Sequence, residues 1–388
     1  MTAASNPSKA KYRVGMIGCG MQGMNHARSY KNNASTQVVA GADPDAANLR
    51  RFTEAFGVVG YRDYNEMLEK EEIDISAPVL PVRANADAVV ASARAGVKAL
   101  FCEKPLTASL QDADRMVEAC DAHGVYFYGG HTFRNYPQMW KARELIESGE
   151  IGEVQSINLY DNNGQGGCHS ISVARMFAQD ADVDWVVGWV EGDPFSDWEG
   201  SSHREEANDM GCKSIGGVIR FANGIDCFSH YKTDRYGIEV LCSRGAFTCD
   251  LTNFHLFKRV EGGLGRLLKD QQEVENLFLD VATYDDNGRF DEEGWAIPEN
   301  RLNDTVQWVV DSLDTGVAPR CSGDDLRKAL EIVIALRQSH RRGHVPIHLP
   351  LEDRSLKMYP EVLRWDNKKD YLDDEWYEET MKQFKKSV

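Results

Sequence analysis

The sequence predicts an α/β chain that opens with a doubly wound parallel sheet. Three observations predict it. Short apolar runs alternate with amphipathic stretches from residue 12 to residue 130. The first apolar run ends in Gly18-x-Gly20-x-x-Gly23 and passes directly into a helical pattern. Beyond residue 150 the pattern changes to closely spaced strands with turn dipeptides between them.

Tyr12 to Ile17 is predicted as the first strand and Met21 to Asn33 as the helix after it. Each glycine between them has a physical task. Gly18 permits a tight turn, Gly20 lets the backbone approach a pyrophosphate, and Gly23 lets helix and strand pack closely. Cys19, Met21 and Gln22 complete the loop. The helix N-terminus adds free N–H groups and a positive dipole end. The dinucleotide-binding fingerprint has this form, although such glycines also occur in ordinary βα turns. Gln37 to Ala42 is a second strand ending at Asp43, 20 residues past Gly23. A carboxylate there either accepts from adenosine ribose hydroxyls or caps the next helix through Asp43-Pro44-Asp45. In the ribose role it repels a 2′-phosphate, and no arginine follows directly, so NAD is favoured over NADP.

The alternation continues through strands at Val58 to Gly60, Ile73 to Leu80, Val97 to Cys102 and Val125 to Tyr128. Helices are expected at Tyr64 to Glu69, at Arg83 to Ala95 closed by Gly96, and from Ser109 to Gly124. Ser109 with Asp112 has the capping-box spacing. Such sheets bind ligands beyond the carboxyl ends of their strands. The residues there are Gly18 to Gly23, Asp43, Leu80-Pro81, Glu103-Lys104-Pro105 and His131. Lys104 is either one half of a surface Glu-Lys pair or a partly buried lysine suited to proton handling.

In the second half Glu153 to Tyr160 alternates as a strand, and Asp161 to Gly167 is a polar, glycine-rich turn. His169 to Phe177 reads as a helix with His169 in its first turn. The positive helix end favours a neutral imidazole, the base form, although a histidine bonded to backbone fits the same position. Val183 to Glu191 is a strand. Gly192 to Cys212 is a long loop holding Trp198, His203 and Arg204, suited to a sugar-binding rim or an oligomer contact. Gly216 to Phe221, Ile225 to Lys232, Tyr236 to Cys242, Ala246 to Asp250 and Phe254 to Val260 are expected as a strand meander. Its turns fall at Asn223-Gly224 and Arg244-Gly245. His230, Tyr231 and Tyr236 either line a site or pack. Glu261 to Glu299 reads as an irregular insertion. Leu302 to Leu313 and Asp324 to Arg341 are amphipathic helices.

The chain has 388 residues, 42% of them hydrophobic, with a formal net charge of -17. The acidic balance argues against nucleic acid or anionic membrane as a partner. There is no run of about 18 apolar residues that could span a bilayer. Nine scattered cysteines fit reduced thiols in a cytoplasm, not a disulfide framework or a zinc site. Residues 1–11 read as a polar flexible tail without a secretory signal.

Several of these stretches together resemble the Gfo/Idh/MocA family of sugar and polyol oxidoreductases. They are Val14 to Gly20, Ala95-Gly96-Val97 leading into Cys102-Glu103-Lys104-Pro105-Leu106, Lys141 to Gly152, and Ser322 to Arg337. The resemblance covers nearly all of residues 12–350. It implies a Rossmann domain over 12–135 and a substrate and oligomerisation domain over 136–350. The latter would carry a large, open, mostly antiparallel sheet, leaving 351–388 as an extension, rich in charge and aromatics, that docks on the body or on a neighbouring subunit. It implies that Leu80-Pro81 lies beside the nicotinamide ribose, that Asn85 stands where a histidine is frequent, and that Glu103 holds that ribose. Lys104 takes the place of the catalytic lysine. The family's Asp-x-Gly-x-His-x-x-Asp segment aligns with Gln165 to Ser172, retaining Gly167 and His169 but replacing both acids.

The implied activity is NAD-dependent oxidation of a secondary hydroxyl of a sugar, glycoside or cyclic polyol, with His169 as base and Lys104 assisting. Gln165, Asn163, Arg134, His131 and Tyr236 are the expected substrate contacts, no metal is expected, and a homodimer or homotetramer through the second sheet is implied. Two other readings share these residues: an NAD-dependent glycoside hydrolase working by transient oxidation and elimination, and a non-enzymatic regulator sensing NAD or a sugar.

Overall fold

A computed structural model describes residues 11–131, 134–135, 137–160, 168–190, 215–230, 237–249, 254–258 and 300–357. The first part runs β1 (Tyr12–Ile17), α1 (Met21–Asn32), β2 (Thr36–Ala42), α2 (Ala46–Phe56), β3 (Val59–Tyr61) and α3 (Tyr64–Lys70). It continues with β4 (Ile75–Pro78), α4 (Val82–Arg94), β5 (Ala99–Cys102), α5 (Leu110–His123) and β6 (Tyr126–Gly129). All six strands pair parallel in the order β3-β2-β1-β4-β5-β6. This is the doubly wound order, whose switch point lies between the first and fourth strands. The expected elements are present within two residues at most ends. The helix ends follow local chemistry: Ser109 Oγ accepts from Asp112 N at the start of α5, and Gly124 closes it in a left-handed conformation.

The second part holds α6 (Pro137–Glu147), β7 (Val154–Tyr160), α7 (Cys168–Phe177), β8 (Val183–Val190), β9 (Ile215–Phe221), β10 (Asp226–His230), β11 (Gly237–Cys242), β12 (Gly245–Cys249) and β13 (Phe254–Lys258). After these come α8 (Asn300–Thr315), α9 (Gly323–Arg341) and β14 (Ile347–His348). The eight strands form one sheet in the order β13-β12-β11-β7-β10-β9-β8-β14. Every neighbouring pair is antiparallel except β7 and β10. The expected meander is therefore interrupted. Two local pieces, β9-β10 and β11-β12-β13, flank β7, which lies between β10 and β11. The turn residues specify the hairpins, but nothing local specifies where an earlier strand inserts.

α8 lies inside residues 136–350 in sequence, yet its apolar side joins the first domain. Leu302, Val306, Val309 and Val310 pack in one cluster with Tyr12, Val14, Tyr30, Phe101 and Tyr128. α9 is buried between the two sheets. Leu326 fills the space a side chain at Gly129 of β6 would need, and its Leu336 backbone lies where a Cβ on Gly188 of β8 would stand, 2.4 Å away. The small residues in the strands thus allow the helix to seat on both sheets. The first residues of the C-terminal extension dock onto the body. Arg354 makes a two-pronged contact with Asp114 of α5, both at 2.7 Å, and Leu110 N donates to Leu356 O. The loop around Trp198, His203 and Arg204, Tyr231, the 261–299 stretch and residues 358–388 lie outside the described residues. Cys19, Cys102, Cys120, Cys227, Cys242, Cys249 and Cys321 are buried and form no disulfide.

Candidate active site at the edge of the parallel sheet

β1 ends at Ile17, and Gly18 turns the chain with φ +94°. A Cβ on Gly18 would stand 2.2 Å from Val79 O, beyond β4, and one on Gly23 would stand 2.0 Å from Gly18 O. Both positions admit glycine only. The loop therefore sits against the segment after β4, with Leu80 beside Gly18, at the switch point of the sheet. Gly20 is the N-cap of α1 and offers no side-chain cap, so the first N–H groups of the helix are left for a ligand. These features fit the pyrophosphate of a dinucleotide.

Asp43 braces that loop. Its Oδ2 accepts from Cys19 N at 2.8 Å and its Oδ1 from Asp45 N at 2.8 Å. The cap of α2 is Asp45 instead, which accepts from Ala47 N and Asn48 N. Burial raises the Asp43 carboxyl above the usual range, a rise tempered by the two backbone donors.

β5 delivers the Glu103-Lys104-Pro105 turn to the same edge. Glu103 N donates to Pro78 O, and Gly130 N donates to Cys102 O. Lys104 N donates to Glu103 Oε2 at 2.5 Å, while Glu103 Oε1 lies 3.4 Å from His26 Nε2 of α1. Burial pushes the Glu103 carboxyl up, but the His26 contact and the Lys104 charge outweigh it, and the net shift is downward. Asn85 is buried in α4 and its Nδ2 donates to Pro105 O at 3.2 Å and Leu106 O at 3.1 Å. The Asn85 amide thereby holds the turn after Lys104.

Past β6, Gly130 packs on the Lys104 backbone, where an added Cβ would meet Lys104 N at 2.9 Å. His131 follows, 2% exposed, with its ring 5.5 Å from that of His169, centroid to centroid. His169 is 5% exposed in the first turn of α7. α7 thereby brings a histidine of the second domain to the ligand edge of the first, next to the Lys104 turn. Burial lowers the His131 pKa to about 3, helped by the charges of Arg134 and Lys104, so this ring is neutral across the physiological range.

Arg134 does not face a ligand. Its guanidinium is buried in a charged cluster, with Nη2 at 2.8 Å from Asp180 and 3.4 Å from Asp325, Nε donating to Arg320 O, and Nη1 donating to Ser172 O. Arg175 joins Asp325 at 3.1 Å, and Arg143 joins Asp180 at 2.7 Å. Asp325 also completes a capping box with Ser322 at the start of α9. The expected hydroxyl contact is corrected to a strut, because a buried guanidinium with two carboxylate partners has no free fork for a substrate. His230 stacks on Tyr160 with centroids 5.0 Å apart, on the open face of the second sheet. Gln165, Asn163 and Tyr236 lie outside the described residues. Among the described residues no group of His, Cys, Asp and Glu side chains could hold a metal ion. None of the described helices is long and apolar enough to cross a membrane.

Sequence reasoning missed His26 and the bracing role of Asn85. The periodicity held a usable signal for the first. Gly23, Met24, Ala27 and Tyr30 mark the buried face of α1, and His26 falls on it.

Comparison with known proteins bears on the first domain. The GFO_IDH_MocA model, an oxidoreductase family with an NAD-binding Rossmann fold, matches residues 12–131. Myo-inositol 2-dehydrogenase of Thermotoga maritima is 33% identical over 148 residues, 38% of this chain and 44% of that protein. The 2,7-anhydro-N-acetylneuraminate hydratase of Mediterraneibacter gnavus is 30% identical over 184 residues, 47% of this chain and 42% of that protein. In both, the match spans less than half of the relative's length. The fold of the WlbA dehydrogenase from Bordetella pertussis, solved with NADH and UDP-GlcNAcA, superposes with a TM-score of 0.68. It does so at 18% identity, over 88% of this chain and 99% of that chain. Residues 12–131 thus match the NAD-binding Rossmann domain of the Gfo/Idh/MocA oxidoreductases.

Proposed function

We propose that this chain oxidises a secondary hydroxyl of a sugar, glycoside or cyclic polyol with NAD. The observation that carries the reading is the convergence of the Lys104 turn, His131 and His169 at the edge where the glycine loop opens. Residues Gly18 to Gly23 hold the pyrophosphate and Asp43 takes the adenosine ribose hydroxyls, which selects against a 2′-phosphate. Glu103, with Leu80-Pro81, holds the second ribose. NAD, when bound, supplies the acceptor for the hydride leaving the substrate carbon. His169 takes the hydroxyl proton from the same carbinol. Lys104 donates a hydrogen bond to the reacting oxygen and stabilises the charge that develops there. Neutral His131 shapes the pocket wall beside His169 without adding charge. Gln165, in place of an acid, orients substrate or His169, and Asn163 and Tyr236 complete the substrate contacts. The open face of the second sheet, with Trp185, Val187, Trp189, Val218 and Phe228, joins protomers into a homodimer or homotetramer.

A panel of sugars and polyols with NAD and NADP, followed by NADH absorbance, tests the reading. Lys104→Ala is expected to lower kcat by about 10²–10⁴-fold while NADH binding stays near native. Unchanged turnover removes Lys104 from the chemistry. A second reading, transient oxidation followed by elimination, is supported by the similarity to a hydratase acting on an anhydro sugar. Substrate consumed without net NADH would favour it.

A further inference from the structure

His26 is 1% exposed on the inner face of α1, one turn past Gly23 of the phosphate loop. Its ring leans on Phe101 of β5, with centroids 4.9 Å apart. Nε2 reaches Glu103 Oε1 at 3.4 Å, and Nδ1 is buried with no hydrogen-bond partner among the described residues. An apolar ring would fill this space without the cost of an orphaned polar atom. The imidazole is therefore accounted for by its contact with Glu103. That carboxylate has its second oxygen on Lys104 N. It stands between the helix that carries the glycine loop and the turn that carries the lysine.

We propose that His26 is a positioning residue, holding Glu103 in the orientation that grips the cofactor ribose and sets the Lys104 turn. Binding at the glycine loop and placement of Lys104 are thereby linked through one helix. The proposal rests on the cofactor and lysine roles given above, and it makes no demand on which sugar is used. A double-mutant cycle on NADH affinity, read by fluorescence without substrate, tests it. His26→Leu and Glu103→Gln should each weaken NADH binding by about tenfold, and the double variant by about tenfold as well. His26→Gln, which keeps a donor toward Glu103, should stay within about threefold of native. With a turnover substrate, His26→Leu should lower kcat as well as raise the NAD KM, since the lysine turn shifts with Glu103. Should His26→Leu fail to fold, His26→Phe keeps the ring on Phe101 and takes its place in the cycle. Losses that multiply in the double variant, or native NADH affinity in both His26→Leu and His26→Phe, overturn the proposal. A coupled cycle in a protein that oxidises no sugar or polyol overturns the dehydrogenase reading alone. A native protein that binds no NADH overturns both.

Discussion

The two sides of the candidate site are built on different principles. On the glycine-loop side the parts are held by backbone. Gly18 and Gly23 fit only without side chains, Asp43 accepts from Cys19 N, and Glu103 accepts from its own neighbour's N–H. On the His169 side the parts are held by buried side-chain charge, with Arg134 and Arg175 converging on Asp325 and Arg134 also on Asp180. A backbone-built site is specified by a few adjacent residues. A charge-built one is specified by partners far apart in sequence.

The contrast can be broken at its strongest point first. Arg134→Ala removes the cation shared by Asp180 and Asp325, leaving the first to Arg143 and the second to Arg175, and is expected to cost about 3–5 kcal/mol of stability. Chemical denaturation measures it, and a loss below about 1 kcal/mol would mean the cluster is solvated and not structural. Gly18→Ala places a Cβ against Val79 O in a left-handed backbone conformation and is expected to cost about 2–3 kcal/mol. NADH binding should disappear with it, whereas Arg134→Ala in its folded fraction should still bind NADH.

The third effect is pH-dependent. His131 has its folded pKa lowered to about 3, so the unfolded chain binds more protons between that value and the ordinary 6.5. Stability is therefore full above about pH 6.5 and falls as the pH drops through this window, by about 2 kcal/mol between pH 6.5 and 5. His131→Phe should flatten that slope in melting curves recorded from pH 7 to 5. An unchanged slope would assign it to other groups. The smallest effect is local. Asp45→Ala removes the α2 cap and should cost about 1 kcal/mol, with NADH affinity nearly unchanged because Asp43 and not Asp45 braces the loop. A large loss of NADH affinity in that variant would blur the division of labour between the two acids.

This division explains what the sequence makes legible. The parallel sheet, its glycine loop and the Lys104 turn follow from patterns within about ten residues. Asp43 left two readings open in sequence, because a cap and a loop brace look alike until the donors are seen. Arg134 looked like a ligand-facing arginine, since the acids that engage it are 46 and 191 positions away. The insertion of β7 between β10 and β11, and the transfer of α8 to the first domain, are likewise long-range decisions made by burial of apolar faces. His26 was hidden for another reason: the buried face of α1 is visible in the sequence, but its partner Glu103 lies in the turn after a strand two places across the sheet.

α9 has a consequence for motion. Its Leu326 lies against β6 and its Leu336 against β8 and β9, so one helix is the inner wall of both sheets. Swinging the two sheets apart as rigid bodies would strip one side of that wall and expose leucines worth about 1.5–3 kcal/mol each. Arg134 and Arg175, anchored to the first turn of the same helix, would lose their carboxylate as well. The molecule is thus a clamp with a fixed jaw angle. The angle between the two sheets is set by folding instead of by closure.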